Sequence, residues 1–189
     1  MSAILIEILV IAMLVLLNGV LAMSELAIVS ARKTRLQQQS DEGSAGARMA
    51  LELSHSPTRF LSTVQIGITL VGVLAGAFGG ATIASVIGDA LEDVAVLAPY
   101  ADALGLGAVV VTITYLSLVV GELVPKRIAL QNPERVAALI APPMRVLSRL
   151  ASPAVSFLSI STGAVLRVLR IGEGEEQPVT EEEIRLLID

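Results

Sequence analysis

Residues 60–88 read FLSTVQIGITLVGVLAGAFGGATIASVIG, 29 positions without one charged side chain. A stretch of about 20 mainly apolar residues is long enough to cross the hydrocarbon core of a bilayer as a helix. A helix is the form to expect, because a lone span must satisfy its backbone hydrogen bonds internally. Working outward, two more stretches meet the same requirement. One runs from about Ala3 to Val29 and is interrupted only by Glu7, Asn18, Ser24 and Glu25. The other runs from about Leu104 to Val124 and carries one charge, Glu122. The fold class expected is an all-α membrane protein with three transmembrane helices at about 3–29, 60–88 and 104–124.

The charges between these stretches set the orientation. Of thirteen basic residues, Arg32, Lys33, Arg35, Arg48 and Arg59 join spans one and two. Lys126, Arg127, Arg135, Arg145, Arg149, Arg167, Arg170 and Arg185 all follow span three. The loop between spans two and three holds Asp89, Glu92, Asp93 and Asp102 and no base. By the positive-inside rule the amino terminus faces outward, while segment 32–59 and everything after 125 face the cytoplasm. A multi-pass cell-membrane protein follows, with the bilayer as its first partner.

Composition agrees. Hydrophobic residues make up 54% of 189, charged residues 16%, and the mean hydropathy is +0.77. A soluble domain carries more charge on its surface. There is no cysteine, which excludes a disulfide scaffold or thiolate metal site. With no Trp, the usual Trp belt at the interface is missing. The amino-terminal stretch lacks a basic n-region, carries Glu7 and outruns a signal peptide's ~7–15-residue apolar core.

Residues 136–169 are apolar, but Pro142, Pro143 and Pro153 interrupt them and Arg145 and Arg149 lie inside. A fourth crossing there would place Arg167 and Arg170 outside, against the charge rule. Two broken juxtamembrane helices are expected, with Arg145 and Arg149 snorkelling to the headgroups. Short cytoplasmic helices are expected in 37–56. After residue 170 an acidic cytoplasmic linker, 171–189, opens a new helix at the capping box Thr180–Glu183. That helix has run only about two turns by Asp189, so a truncated chain is the expectation.

Chemistry inside a membrane needs polar groups that justify their cost, and a charge within a span costs about 2.5–3.5 kcal/mol on insertion scales. Glu25 sits near the cytoplasmic end of span one, seven residues from Asn18 and on the same face. It either joins a site or pairs with Arg32 or Lys33. Glu122 lies at the corresponding depth of span three, in Gly121-Glu122-Leu123-Val124-Pro125-Lys126. Pro125 has no N–H, so the carbonyl of Gly121, four residues earlier, is left unbonded within its helix. A bare carbonyl beside a carboxylate suits a hard cation such as Mg²⁺, Ca²⁺ or Na⁺. Span two offers Ser62, Gln65 and Thr69 on one face, with Thr63 at its edge, and two GxxxG matches, Gly72–Gly76 and Gly76–Gly80. The bland alternatives are that Ser62 and Thr69 bond carbonyls of their own helix, that Asn18 is interhelical glue, and that Lys126 and Arg127 anchor at the interface. His55 receives no role.

Three motifs carry a resemblance. Asn18-Gly19 through Ser24-Glu25-Leu26-Ala27, with Ser30 and Arg35-Leu36, resembles the first span of the CNNM/CorC membrane domain. Leu61–Leu70 (LSTVQIGITL) resembles its second span, and Gly121–Lys126 (GELVPK) its third-span motif. The likeness covers about residues 5–170. It implies a magnesium transporter, commonly a homodimer, whose cytoplasmic CBS domains bind nucleotide. Those CBS domains are absent from this chain, so ATP is expected only through them. A transport domain over 1–170 and a dehydrated Mg²⁺ within it are also implied. Carried over, the metal ligands are Ser24, Ser62 or Thr63, the Gly121 carbonyl and Glu122. Many members have Asn where this chain has Ile68 and Gly72, and Gln65 is the expected replacement.

Magnesium transport, in the direction of efflux and with Na⁺ as a coupling ion, is therefore the expected function. A Mg²⁺-sensing scaffold that passes no ion is the alternative. No enzyme activity is expected, since Ser24-Glu25 lacks a nearby intramembrane His or Lys to complete a nucleophile–base pair. No nucleic-acid partner is expected.

Overall fold

The computed structural model describes residues 2–81, 83–94 and 96–169, and every regular element among them is helical. Helix α1 is Ser2–Ser30, followed by the short α2 (Lys33–Asp41) and α3 (Ala45–His55). Helices α4 (Pro57–Ala81) and α5 (Ile83–Glu92) carry the second apolar stretch. A 3₁₀ turn, Ala98–Tyr100, leads into α6 (Ala101–Leu118), a π-helical turn (Val119–Leu123) and α7 (Val124–Gln131). Then come α8 (Pro133–Leu150) and α9 (Ser152–Val168).

Among the described residues three helical segments are long and apolar enough to cross a membrane: Ile4–Ser30, Pro57–Glu92 and Ala98–Gln131. Their 27, 36 and 34 residues correspond to roughly 40–54 Å at 1.5 Å per residue. All exceed the ~30 Å hydrocarbon core. The first segment matches the expected 3–29 to within one residue, while the second and third contain the expected spans and run on past the apolar run. The helices end where capping and turns end them, and a charge such as Asp89 or Asp102 does not stop one. Only 11% of the third segment's apolar window is buried within the chain. Leu5, Met13, Val73 and Val111 stand outward with more than half their surface exposed. Such a surface needs lipid, or another apolar partner, around it. The chain is a multi-pass, all-α membrane protein.

Residues 1–152 form one compact unit. Within it α1 is central, packing on α4, the π-helical turn, α7 and α8, while α5 packs on α6. Small residues set these approaches. A Cβ added at Gly67 would come within 2.9 Å of Leu21 Cδ1, and one at Gly105 would meet the Ala84 carbonyl at 2.5 Å. At the basic end, α2, α3 and α8 gather around the ends of the spans. Their core is alanine-rich (Ala47, Ala50, Ala137 and Ala141), with Leu36, Phe60 and Val64. Gly43, at φ 98°, lets the chain leave α2, and Ser44 then caps α3 by accepting from the Ala47 amide at 3.2 Å. Glu134, only 5% exposed, accepts the Arg32 backbone amide at 3.3 Å and so ties the α1–α2 corner to the first turn of α8.

One expectation needs correction. Pro142 and Pro143 do not break the juxtamembrane region, because α8 runs through both and the interruption falls at Ala151. Pro142 removes the bond to the Ala138 carbonyl. α3 meets that same carbonyl with Gly46, where an added Cβ would collide with it. Gly46 therefore brings a Cα–H against the freed oxygen, a weak contact that partly replaces the lost bond. Arg145 and Glu52, 3.0 Å apart, fasten the same two helices. The second unit begins at Pro153 and is described through α9, a mostly apolar helix with Arg167 in its last turn. Neither α8 nor α9 alone qualifies as a span, although end to end the pair has the length and composition of a broken one. The expected acidic linker, 171–189, lies outside the described residues.

Candidate cation site

The GELVPK motif folds as its proline requires. Val119–Leu123 widens into a π-helical turn, in which the Val124 amide donates to the Val119 carbonyl, five residues back. Such turns absorb a locally broken bonding pattern and recur at functional sites. The Gly121 carbonyl, which Pro125 cannot bond, is not bare. Asn18 Nδ2 donates to it at 3.0 Å across the α1 interface. Gly121 allows this approach, since a Cβ there would lie 3.1 Å from Asn18 Nδ2 and 3.2 Å from the Val15 carbonyl. Next to it, a Cβ at Gly19 would meet Pro125 Cγ at 3.0 Å. The two motifs Asn18-Gly19 and Gly121–Pro125 are thus halves of one contact.

Asn18 is 7% exposed, and its second polar atom, Oδ1, is buried without a hydrogen-bond partner. The amide's orientation is fixed by the carbonyl that its NH₂ must face. An unpartnered buried oxygen carries a desolvation cost and calls for an explanation such as an ion or water. Asn18 is therefore interhelical glue with an acceptor to spare.

The carboxylates lie one turn further on. Lys126 Nζ is 2.7 Å from Glu122 Oε1 and 3.7 Å from Glu25 Oε2, with all three side chains about one-third exposed. Glu25 faces Lys126, and among the described residues it makes no ion pair with Arg32 or Lys33. Lys126 is not simply an interface anchor, because its ammonium sits between two acids contributed by different helices. The i,i+4 spacing of Glu122 and Lys126 signals the first contact in the sequence. Nothing local signals the second, which depends on α7 packing against α1.

The hydroxyls expected as ligands are placed less distinctively. Ser24 is fully buried and donates to the Leu21 carbonyl at 2.6 Å; Thr63, also buried, donates to the Arg59 carbonyl at 2.9 Å. Each hydroxyl uses its proton within its own helix and keeps lone pairs able to accept a cation. Ser62 is half-buried. Gln65 and Thr69 are exposed on the outer face of α4, so the amide meant to replace the missing Asn does not enter the packed core of this chain. Among the described residues no group of three or more His, Cys, Asp or Glu side chains is placed to hold a metal. A cation here would rest on one or two carboxylates and neutral oxygens, the donor set that hard divalent ions accept.

Comparison with known proteins places these features in context. The model for the cyclin M transmembrane N-terminal domain matches residues 8–189. The protein sll0260 of Synechocystis sp., from the UPF0053 group, is 52% identical over 188 residues, covering 100% of this chain and 42% of that protein. The polyamine export protein of Haemophilus influenzae is 29% identical over 185 residues, covering 96% and 42%. YhdT of Bacillus subtilis, another UPF0053 protein, is 30% identical over 184 residues, covering 96% and 40%. The chain spans about two-fifths of the length of these relatives. It belongs to the cyclin M transmembrane N-terminal domain family.

Proposed function

We propose that this chain is the membrane core of a cation transporter and that Mg²⁺ is the ion it carries. The observation carrying this reading is Glu122 on a π-helical turn of a spanning segment, one residue from a carbonyl held by a buried amide with a spare oxygen. An intramembrane carboxylate is a site hypothesis by default, and broken helices at mid-span are a recurring way to build ion sites. Glu122 would supply the charge, with Glu25 behind it. Ser24, Ser62 or Thr63, and the Gly121 carbonyl would supply neutral oxygens; Gln65 would contribute only after α4 turns or from a second copy.

Lys126 gives the cycle its logic. Two carboxylates and one ammonium leave a single net negative charge, so an arriving divalent ion must first displace the ammonium from Glu122. Movement of the third span about its π-helical turn would accomplish this. A Na⁺ gradient as driving force, export as direction, and a homodimer regulated by ATP-binding CBS domains elsewhere in the whole protein complete the proposal. The termini are assigned as amino outside and carboxyl cytoplasmic on the charge pattern.

Lys126 also favours a second reading. The carboxylate pair already accepts an alkylammonium, the group a protonated polyamine presents, and the H. influenzae relative is named a polyamine exporter. Proteoliposome flux separates the readings. Mg²⁺ movement that depends on Glu122 supports the first, and spermidine movement without Mg²⁺ movement supports the second. Binding without flux of either marks a sensor. Calorimetry tests the site itself: Glu122→Gln is expected to weaken Mg²⁺ at least tenfold, and unchanged affinity would sink the assignment.

A further inference from the structure

We propose that the cavity between the amino end of α4 and the second half of α8 binds the phosphate of an anionic lipid headgroup. The cavity measures about 180 Å³, many times the ~10–15 Å³ that a single water requires, and so has room for a phosphate group. Arg59 enters it from the first turn of α4, and Arg145 and Arg149 from one face of α8, four residues apart. Ser56 and Ser148 add two hydroxyls to the wall. Among the described residues the one acid lining it is Glu52, 3.0 Å from Arg145. Three positive charges against one negative leave two in excess within a partly enclosed space. Arg59 spends one N–H on Ser152 Oγ, at 2.6 Å, which holds its guanidinium in place and leaves other donors free. Guanidinium forks match phosphate oxygens in geometry as well as charge.

Depth and lining favour a lipid as the source of that phosphate. Arg59 is the last charge before the 29 uncharged residues from Phe60, so the cavity lies at the level where headgroups meet hydrocarbon. Its floor is apolar, made of Leu53 and the fully buried Phe60. An apolar floor beneath arginines suits a phosphate that continues into acyl chains better than a free ion with water on all sides. The occupant would bridge α4 and α8, adding to the Arg145–Glu52 contact between α8 and α3.

Native mass spectrometry of the purified protein, offered phosphatidylglycerol and phosphatidylcholine in equal amounts, tests this. Wild type is expected to retain phosphatidylglycerol preferentially. Arg149→Gln and Arg59→Gln should each weaken retention about fivefold, the effect of one basic side chain at an anionic surface. Arg149 is exposed and lies in the last turn of α8, so its loss should leave the fold intact, and Arg149→Lys should restore most retention. Arg48, a base outside the cavity, is the control. If Arg48→Gln weakens retention as much as Arg149→Gln, or if both lipids are held equally, the site is overturned. Inorganic phosphate that raises the thermal midpoint of wild type but not of Arg149→Gln, without phosphatidylglycerol retention, would keep the anion site and overturn lipid as its source.

Discussion

At the scale of single residues, the site turns on Lys126 and Asn18, and each has a signed prediction. If the Lys126 ammonium competes with the cation for Glu122, then Lys126→Met removes the competitor and tightens Mg²⁺ binding. Two unit charges about 4 Å apart interact by roughly 4 kcal/mol at an effective dielectric constant of 20. One-third exposure screens much of that, so a gain of about tenfold in affinity is expected, or ~1.4 kcal/mol. Calorimetry reads it, and the same variant in a flux assay should show a lower KM and a lower kcat, because release slows as binding tightens. Lys126→Arg should behave like wild type. For Asn18, substitution by Ala strands the Gly121 carbonyl in the core, where an unmet acceptor costs about 1–3 kcal/mol. A lower thermal midpoint together with weaker Mg²⁺ binding is expected. Thr112, whose hydroxyl is exposed and bonded within its own helix, provides the comparison: Thr112→Val should change neither. That Pro125 cannot bond the Gly121 carbonyl was legible from the motif alone, since a missing N–H is a local fact. Its partner was not, because Asn18 lies 103 positions away and only the packing of α1 on the π-helical turn brings the two together.

At the scale of elements, the same contrast recurs. Three apolar runs, one of them free of charge and the others nearly so, located the three spanning segments among the described residues, because insertion into lipid depends on summed apolarity over about twenty residues. Helix breaks depend on single contacts, and there composition misled. Pro142 and Pro143 look like an interruption, yet α8 continues through them because α3 presents Gly46 to the freed Ala138 carbonyl. Gly46→Ala should therefore cost more than its helix propensity suggests. Alanine would favour α3 by up to about 1 kcal/mol in isolation, while forcing a methyl against the α8 backbone typically costs about 1–3 kcal/mol. A net loss of stability, read as a lower midpoint in a thermal melt in detergent, is expected. A neutral or stabilising outcome would mean that α3 and α8 part easily, and that the Arg145–Glu52 pair does not hold them.

At the scale of the whole molecule, one face of α4 has no partner among the described residues. Gln65, Thr69, Gly72 and Gly76 recur at helical spacing along α4, all four exposed, and a Cβ at either glycine would meet nothing within 4 Å. Gly67 and Gly105, by contrast, already have a neighbouring helix against them. An amide and a hydroxyl facing lipid are poorly satisfied, and a small-residue stripe beside them admits a second helix closely enough to bond both. The proposed homodimer would give this face an occupant, the α4 of a second copy, with Gln65 near its counterpart. Leu at Gly72 and Gly76 should then lower the dimer fraction, measured by cross-linking or single-molecule photobleaching in bilayers, while leaving the helix content of each chain unchanged. Gln65→Leu should weaken the dimer less, since membrane hydrogen bonds between side chains average about 0.6 kcal/mol. If neither change alters association, Gln65 must find its partner elsewhere. An inward turn of α4 toward Ser24 and Glu122 would then be the remaining way to bring its amide to the cation, and Gln65→Leu would weaken Mg²⁺ binding in the monomer itself.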